Sequence, residues 1–369
     1  MANSDGKLIH LEAARGIASL IVLVHHVVLA FAPGLKAPFS AGGLENTPIY
    51  LVLNGTAAVV FFFVLSGFVL TRRLHERFDS AYLAQALIKR LPRLMLPAGI
   101  TILAGFVIIY HTPPYYKQAA MMTASPWLAH FAYGAAQFPR EPMLSDALRQ
   151  CLFVFLQFGD SYYNSNLWTM VMEFYGSLVV FALVAVLGVG RRGLGLVVAL
   201  HLGAVLAIIL WGQPLMVGFP LGSLIACLHH RRPQLFHPAR WLVVLMGVTA
   251  LACYSVEDKT AFLLGASLSL YLLLSPGRVQ QAMARRFGAA LGTLSFPLYL
   301  VHMLVIMAVT SPVFLAFPVE SYAARLALTL PVTLGAATLC ALPLVWLEAR
   351  WLRLLNRATK ALVARFNRA

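Results

Sequence analysis

The sequence contains a histidine and an arginine whose spacing would place them on one face of a helix. Arg15 and His26 are eleven residues apart. In a helix this is about three turns plus 20°, so His26 would lie on the Arg15 face, about 16 Å further along the axis. An imidazole can act as a general base or a nucleophile near neutral pH. His25 would point about 80° away. The spacing therefore favours His26 over His25 as a functional residue; the alternative is that both only bond to neighbouring helices.

Two further arginines have a spacing suited to an anion. Arg90 and Arg93 are three residues apart and would share one side of a helix if that helix continued through Pro92. Guanidinium groups suit phosphate recognition because they donate several directed hydrogen bonds. The alternative is that both residues only set the membrane orientation of a basic loop, which explains less well why they would share one side.

One carboxylate lies inside a mostly apolar stretch. Glu173 follows Trp168 by five residues, and a carboxylate in such surroundings must be paired, protonated or catalytic. His302 lies in another apolar stretch and, taken alone, is interpreted as structural. The four cysteines are far apart in apolar stretches, so we predict neither a disulfide nor a metal site from them.

The composition indicates that lipid surrounds most of this chain. Of 369 residues, 60% are hydrophobic and 11% are charged, which is about half the charged share of a typical soluble domain. A soluble protein of this composition could not cover its apolar surface. The net charge of +15 is typical of cytoplasmic loops that face anionic lipid, and we prefer this interpretation to nucleic-acid binding.

Apolar runs of about 17–25 residues predict membrane-spanning helices. The ten candidates are residues 16–33, 50–71, 92–111, 168–189, 194–210, 214–229, 240–254, 260–275, 290–311 and 323–347. With a cytoplasmic N-terminus, 22 of the 28 basic residues fall on the inner side and six on the outer side, as the positive-inside rule requires. We therefore predict an all-α polytopic integral membrane protein with about ten transmembrane helices and both termini cytoplasmic.

Two segments lie outside these spans. Residues 112–167 form the longest external connection, and loops of this length are typical of functional segments. Its apolar stretch at 148–158 is too short to span and is predicted to be interfacial or re-entrant. After a membrane-embedded domain at 1–349, residues 350–369 show a basic amphipathic pattern with Leu354 and Leu362 on the apolar face, which predicts a tail helix lying on the inner leaflet.

Taken together, these stretches resemble the acyltransferase family 3 of integral membrane proteins, which O-acylate bacterial cell-surface glycans and some secondary metabolites. The matching motifs are Leu-Glu-Ala-Ala-Arg-Gly-Ile-Ala at 11–18 followed by His26, Phe-Phe-Val-Leu-Ser-Gly-Phe at 62–68, Arg90 with Arg93, Leu-Trp-Thr at 167–169 followed by Glu173, and Ser-Phe-Pro-Leu-Tyr-Leu-Val-His at 295–302. The resemblance covers residues 8 to about 347. Glu12 stands where the family often has Asp, and Met172 stands where another acidic residue is common.

The resemblance implies an acyl-CoA-dependent membrane O-acyltransferase, multi-pass in the bacterial inner (plasma) membrane. Acetyl-CoA or another acyl-CoA would be the co-substrate, bound by Arg15, Arg90 and Arg93, with no metal. His26 and Glu173 would be catalytic, His26 serving either as a base or as an acyl carrier. The implied partners are a glycan or lipid-linked saccharide acceptor and membrane lipid, with no nucleic acid.

Two other functions fit the same residues. A small-molecule O-acyltransferase, for example of macrolide type, would use the same chemistry on a different acceptor. A transporter or flippase would use Arg15, His26 and Glu173 as an ion or proton path. Such proteins often contain internal repeats, and the sequence shows no convincing one.

Overall fold

The computed structural model describes residues 8–130, 141–156, 161–188 and 192–366. Within these ranges every regular element is helical, and the extended segments pair only at an isolated bridge between Pro38 and Glu45. The α-helices in chain order are α1 (Ile9–Phe31), α2 (Gly55–Glu76), α3 (Ser80–His111), α4 (Tyr115–Thr123), α5 (Pro126–Ala129), α6 (Leu144–Phe153), α7 (Trp168–Gly188), α8 (Leu194–Leu210), α9 (Gly218–Arg231), α10 (Arg240–Ser255), α11 (Lys259–Leu274), α12 (Arg278–Met283), α13 (Arg286–Val305), α14 (Ser311–Ala316) and α15 (Tyr322–Phe366).

Six helical rods among the described residues are long and apolar enough to cross a membrane: α1, α2, α3, α7, α15, and α13 joined to α14 through a π-helical turn at Ile306–Thr310. The helices α8, α10 and α11 are apolar but shorter, and α9 overlaps the remaining predicted span at 214–229. The predicted all-α, polytopic membrane fold is thus confirmed, and the number of helices is compatible with about ten spans.

Several predicted spans begin elsewhere in the structure. The helix predicted from residue 16 begins at Ile9. The helix predicted from residue 92 begins at Ser80, where the Asp79 side chain accepts a hydrogen bond from the backbone N–H of Tyr82, and it continues through Pro92. The helix predicted from residue 50 begins at Gly55, after Asn54 has capped it in the same way. Side-chain caps stabilise helix starts by satisfying free N–H groups, and hydropathy alone does not detect them.

Glycine contacts bring α1 and α13 together. A Cβ atom at Gly16 would lie 2.7 Å from the backbone carbon of Leu291, and one at Gly288 would lie 2.8 Å from the Cβ of Ala13. Both distances are shorter than real Cβ contacts allow, so only glycine permits this approach. The two pairs have the same sequence offset, which indicates parallel helices in constant register. His26 follows Gly16 by ten residues, and His302 follows Leu291 by eleven, so nearly the same register places the two histidines side by side.

Part of the long connection between α3 and α7 packs against α3. Helix α6 runs inward along α3, where the Cys151 thiol lies 3.4 Å from the carbonyl oxygen of Gly99, about 18 Å from the outer end of α3. The chain returns through irregular residues 161–167, where the Asn164 side chain donates to Thr101 (3.0 Å) and to the carbonyl of Leu300 (2.9 Å). Irregular backbone at this depth requires burial within protein. Both segments thus pack beside the middle of α3, and an interfacial or re-entrant position of 148–158 stays a prediction; residues 157–160 lie outside the described ranges.

The tail helix packs on α3, whereas the sequence predicted only that it lies on the inner leaflet. It continues α15 without a break, and its buried stripe is Leu355, Thr359 and Val363, whereas Leu354 and Leu362 of the predicted apolar face are exposed. The buried stripe faces the inner part of α3, where the indole N–H of nearby Trp351 donates to the carbonyl of Pro92 (2.8 Å). The tail thus has a protein partner as well as any lipid contact; residues 367–369 lie outside the described ranges.

Candidate active site

A cavity of about 560 Å³ lies among α1, α2, α3, α7, α13 and α15. Four of the five predicted site residues line it: Arg15, Arg90, Arg93 and Glu173. The structure therefore brings together residues that are up to 158 positions apart in the chain. His26 is not among the lining residues, since it lies further along α1 toward the outer side. The cavity also contains Glu12 and Glu348, so it combines three arginines with three carboxylates.

The arginines of this cavity are oriented by carboxylates. Arg15 pairs with Glu12 at 3.0 Å, and Arg90 pairs with Glu173 at 2.5 Å. The Arg90 side chain also donates to the backbone carbonyl of Glu173 (3.3 Å), while its Nε is buried and has no hydrogen-bond partner among the described residues. A buried guanidinium N–H without a partner costs free energy. An anion in the cavity could satisfy it.

His26 belongs to a pair of hydrogen-bonded histidines. Its Nδ1 lies 2.8 Å from Nε2 of His302, while the ring centroids are 5.0 Å apart and the planes differ by 17°. With the nitrogens closer than the centroids, the two rings must lie edge to edge in nearly one plane, which is good hydrogen-bond geometry. His302 is completely buried. We call His26 and His302 the histidine pair.

The partners of the histidine pair assign its tautomers. Nδ1 of His302 lies 3.2 Å from the carbonyl oxygen of Leu298, which can only accept, so this nitrogen carries the proton. Nε2 of His302 therefore holds a lone pair and accepts a hydrogen bond from Nδ1–H of His26. This leaves the lone pair of His26 on Nε2, for which the described residues provide no hydrogen-bond partner. The arrangement follows the way in which catalytic histidines are oriented by a second group.

Tyr299 connects the cavity to the histidine pair. It lines the cavity, and its ring centroid lies 5.7 Å from that of His302, one helical turn further along α13. Its hydroxyl lies 2.5 Å from Oγ1 of Thr169 and 3.0 Å from the carbonyl of Asn166. The interpretation of His302 as an isolated structural residue missed this arrangement, although Tyr299 and His302 occupy the same motif at 295–302.

The two adjacent histidines have different environments. Nδ1 of His25 lies 2.6 Å from the carbonyl of Leu53, and its side chain is packed against Gly55, where a Cβ would collide with the ring. His26 is half-buried, and Trp127 of α5 lies nearly parallel to it, with planes 13° apart and centroids 5.2 Å apart. Sequence reasoning missed Trp127 because nothing in residues 112–167 indicates which part of this connection returns to α1.

A second buried cluster lies among α2, α8 and α9. The Ser223 hydroxyl is 3.1 Å from Nε2 of His75 and 3.1 Å from Nε2 of His201, and Nδ1 of His201 lies 2.8 Å from the carbonyl of Val197. We call these three side chains the serine cluster.

Nowhere in the described ranges do three or more His, Cys, Asp or Glu side chains come together as a metal-binding group would.

On the outer side, Tyr50 donates to Glu257 (2.7 Å), which also lies 3.7 Å from Lys36. Burial, together with this hydrogen bond, raises the pKa of Tyr50 above its ordinary value, so Tyr50 stays protonated and keeps donating. The bond joins the segment before α2 to the α10–α11 connection. It fixes the outer side of the fold near His25.

The long apolar helices and the buried polar site together define a multi-pass membrane enzyme. Residues 8–347 match the family model described as an acyltransferase domain, and the chain therefore belongs to acyltransferase family 3. Neither the search of curated proteins nor that of solved structures gives a match. The predicted resemblance is thus confirmed, and the chain is a membrane acyltransferase. The roles predicted for His26, Glu173, Arg15, Arg90 and Arg93 remain predictions.

Proposed function

We propose that this protein transfers an acyl group, most simply acetyl, from acyl-CoA to a hydroxyl of a cell-surface or lipid-linked polysaccharide at the bacterial inner membrane. The observation that carries this proposal is the position of His26. Its Nε2 holds a lone pair at the end of a fixed hydrogen-bond chain, and Tyr299 joins that chain to a cavity containing three arginines. The family match favours this enzyme over a transporter that would use the same residues as an ion path.

The arginines would bind the phosphates of the donor. Arg15, Arg90 and Arg93 line one cavity, and the partnerless Nε of Arg90 supports an anion there. Because Glu12 and Glu173 already hold two of the guanidinium groups in place, the site is oriented before the ligand arrives. We assign Glu173 to the catalytic machinery through Arg90, as a positioning residue that acts on the donor and not on His26.

Two routes to transfer use the same nitrogen. In the first, Nε2 of His26 takes the proton of the acceptor hydroxyl, the oxygen bonds to the thioester carbon, and the C–S bond breaks to release CoA thiolate. In the second, Nε2 bonds to the thioester carbon and releases the thiolate, and the acceptor oxygen then displaces the imidazole. In both routes the thiolate finally takes up the proton that the acceptor loses.

The test uses purified protein in lipid nanodiscs with acetyl-CoA and a bacterial surface polysaccharide. We expect release of CoA together with acetyl ester on the polysaccharide. Arg90→Ala should raise the KM for acetyl-CoA roughly ten- to a hundredfold, since a charge-assisted hydrogen bond contributes about 1.5–3 kcal/mol. The matched control is Arg73→Ala, which removes a charge near the end of α2 at a residue that stacks on Tyr82 at 4.2 Å and does not line the cavity.

Release of CoA without any esterified acceptor, for each polysaccharide and for a macrolide, would contradict the proposed acceptor class. An ester on the macrolide alone would transfer the proposal to a small-molecule acceptor. If Arg90→Ala and Arg73→Ala had equal KM values for acetyl-CoA, the arginines of the cavity would serve only to set the membrane orientation. The absence of any turnover by folded protein would contradict acyl-CoA as donor.

A further inference from the structure

The external connection supplies an aromatic side chain to the histidine pair. Trp127 lies in α5, which lies between α3 and α6 in the chain. Its ring centroid is 5.2 Å from that of His26 with an interplanar angle of 13°, within the range of an offset stack. His302 occupies the edge of the His26 ring at Nδ1, whereas Trp127 occupies a face. The imidazole is therefore held from two directions.

The segment that carries Trp127 is fastened to the end of α1. The Thr123 hydroxyl donates to the carbonyl of Ala30 (2.8 Å), and the Ser125 hydroxyl donates to the carbonyl of Leu29 (2.6 Å). These carbonyls belong to the last turn of α1, where helical partners are lacking. Ser125 also caps α5 by accepting from the backbone N–H of Leu128 (3.1 Å). Because His26 lies one turn before Ala30, the indole is fixed relative to the imidazole.

Trp127 contacts His26 from the side opposite to the cavity that contains the three arginines. The cavity is lined by the beginning of α1, including Glu12 and Arg15, whereas Thr123 and Ser125 contact the final turn of the same helix. The indole thus contacts His26 near the end of α1 that lies away from the cavity. His26 itself is half-buried, so a missing indole would leave its ring open to water from that side.

We propose that Trp127 is a positioning residue that holds the His26 imidazole for transfer and excludes water from it; this rests on the proposed acyl-CoA-dependent function. Without the indole, water competes with the acceptor. The oxygen of water then bonds to the acyl carbon, the C–S bond breaks, and the thiolate takes the proton that water loses, which yields a carboxylic acid and CoA. Loss of Trp127 should therefore lower transfer and raise the share of hydrolysis.

The experiment measures acetyl ester and free acetate in parallel, from acetyl-CoA and the polysaccharide, for Trp127→Ala, Trp127→Leu and Trp127→Phe. We expect kcat for transfer to fall about a hundredfold in the Ala variant, since small misplacements of a catalytic group have effects of this size. The KM for acetyl-CoA should not change. The ratio of acetate to ester should rise in the Ala and Leu variants, and Phe should restore most transfer because it retains an aromatic face.

Trp211→Ala is the matched control, since Trp211 makes an edge contact with Tyr175 on α7 and should keep the wild-type ratio. Wild-type kcat and product ratio in both Trp127→Ala and Trp127→Leu would overturn the inference. So would a folded Trp127→Phe variant as impaired as Trp127→Leu. If the Ala variant does not fold, the Leu and Phe variants decide. If wild-type protein forms neither ester nor acetate, the proposed function fails first, and the inference falls with it.

Discussion

The histidine pair and the serine cluster use the same hydrogen-bond arrangement in different surroundings. In each, one histidine donates its Nδ1–H to the carbonyl four residues earlier in its own helix: His302 to Leu298, and His201 to Val197. This leaves Nε2 of each as an acceptor. His302 accepts from a second imidazole, whereas His201 accepts from the hydroxyl of Ser223.

The difference lies in the side chain that donates to each Nε2. Ser223 is completely buried and is hydrogen-bonded to both His75 and His201, so it joins three helices and has no accessible surface for a substrate. The histidine pair ends at His26, which is half-buried and whose Nε2 is unoccupied by any described residue. A buried histidine is therefore not by itself a catalytic candidate. The partial exposure of the side chain that donates to Nε2, and a neighbouring cavity, distinguish the two regions.

The largest expected effect breaks the comparison at the side chains that donate to His302 and to His201. His26→Ala should abolish acyl transfer, since loss of a general base alone lowers rates about 10²–10⁴-fold, while acetyl-CoA still binds. Ser223→Ala should leave kcat within a fewfold of wild type and lower only the thermal stability. The measurements are ester formation, acetyl-CoA binding by calorimetry, and a blank without enzyme. If His26→Ala protein still formed ester, or if a folded Ser223→Ala variant did not, the roles proposed for the two regions would be wrong.

A smaller effect should follow at the acceptor ends. His302→Asn removes the acceptor that fixes the His26 tautomer, and kcat should fall about a hundredfold because the imidazole is no longer held in its reactive orientation. The matched variant His201→Asn should leave kcat unchanged and lower the free energy of unfolding by about 1–3 kcal/mol. Equal effects on kcat, measured as initial rates at saturating acetyl-CoA, would show that His302 has no special relation to His26.

Sequence spacing predicted the face shared by Arg15 and His26, because this relation lies within one helix. It also predicted Arg90 and Arg93 on one side of a helix, on condition that the helix passed Pro92, and both line the cavity. Helical periodicity contains no information on partners from other helices. For that reason the ion pair of Arg90 with Glu173 and the bond between His26 and His302 could not be derived from spacing alone.

The tail of α15 and the external connection show the same limit. Two apolar stripes are present on the tail, and contact with α3 selects the stripe of Leu355, Thr359 and Val363 for burial; periodicity alone cannot rank them. Trp127 lies in a connection whose return to α1 depends on hydroxyl contacts from Thr123 and Ser125. Such contacts have no periodic signature, so the role of that connection could be predicted only as functional, without the residue concerned.

The smallest expected effect sharpens the comparison within α1, where His25 precedes His26. His25 is buried, with Nδ1 against the carbonyl of Leu53, and in this respect it resembles the serine cluster more than it resembles His26. His25→Ala should therefore lower the free energy of unfolding by about 1–3 kcal/mol, as loss of a buried hydrogen bond does, and change kcat only modestly. Thermal unfolding in nanodiscs and initial rates of ester formation measure the two quantities separately. If folded His25→Ala protein were inactive while His26→Ala protein still formed ester, then the helical-face argument, the tautomer assignment and the proposed role of His26 would all be wrong.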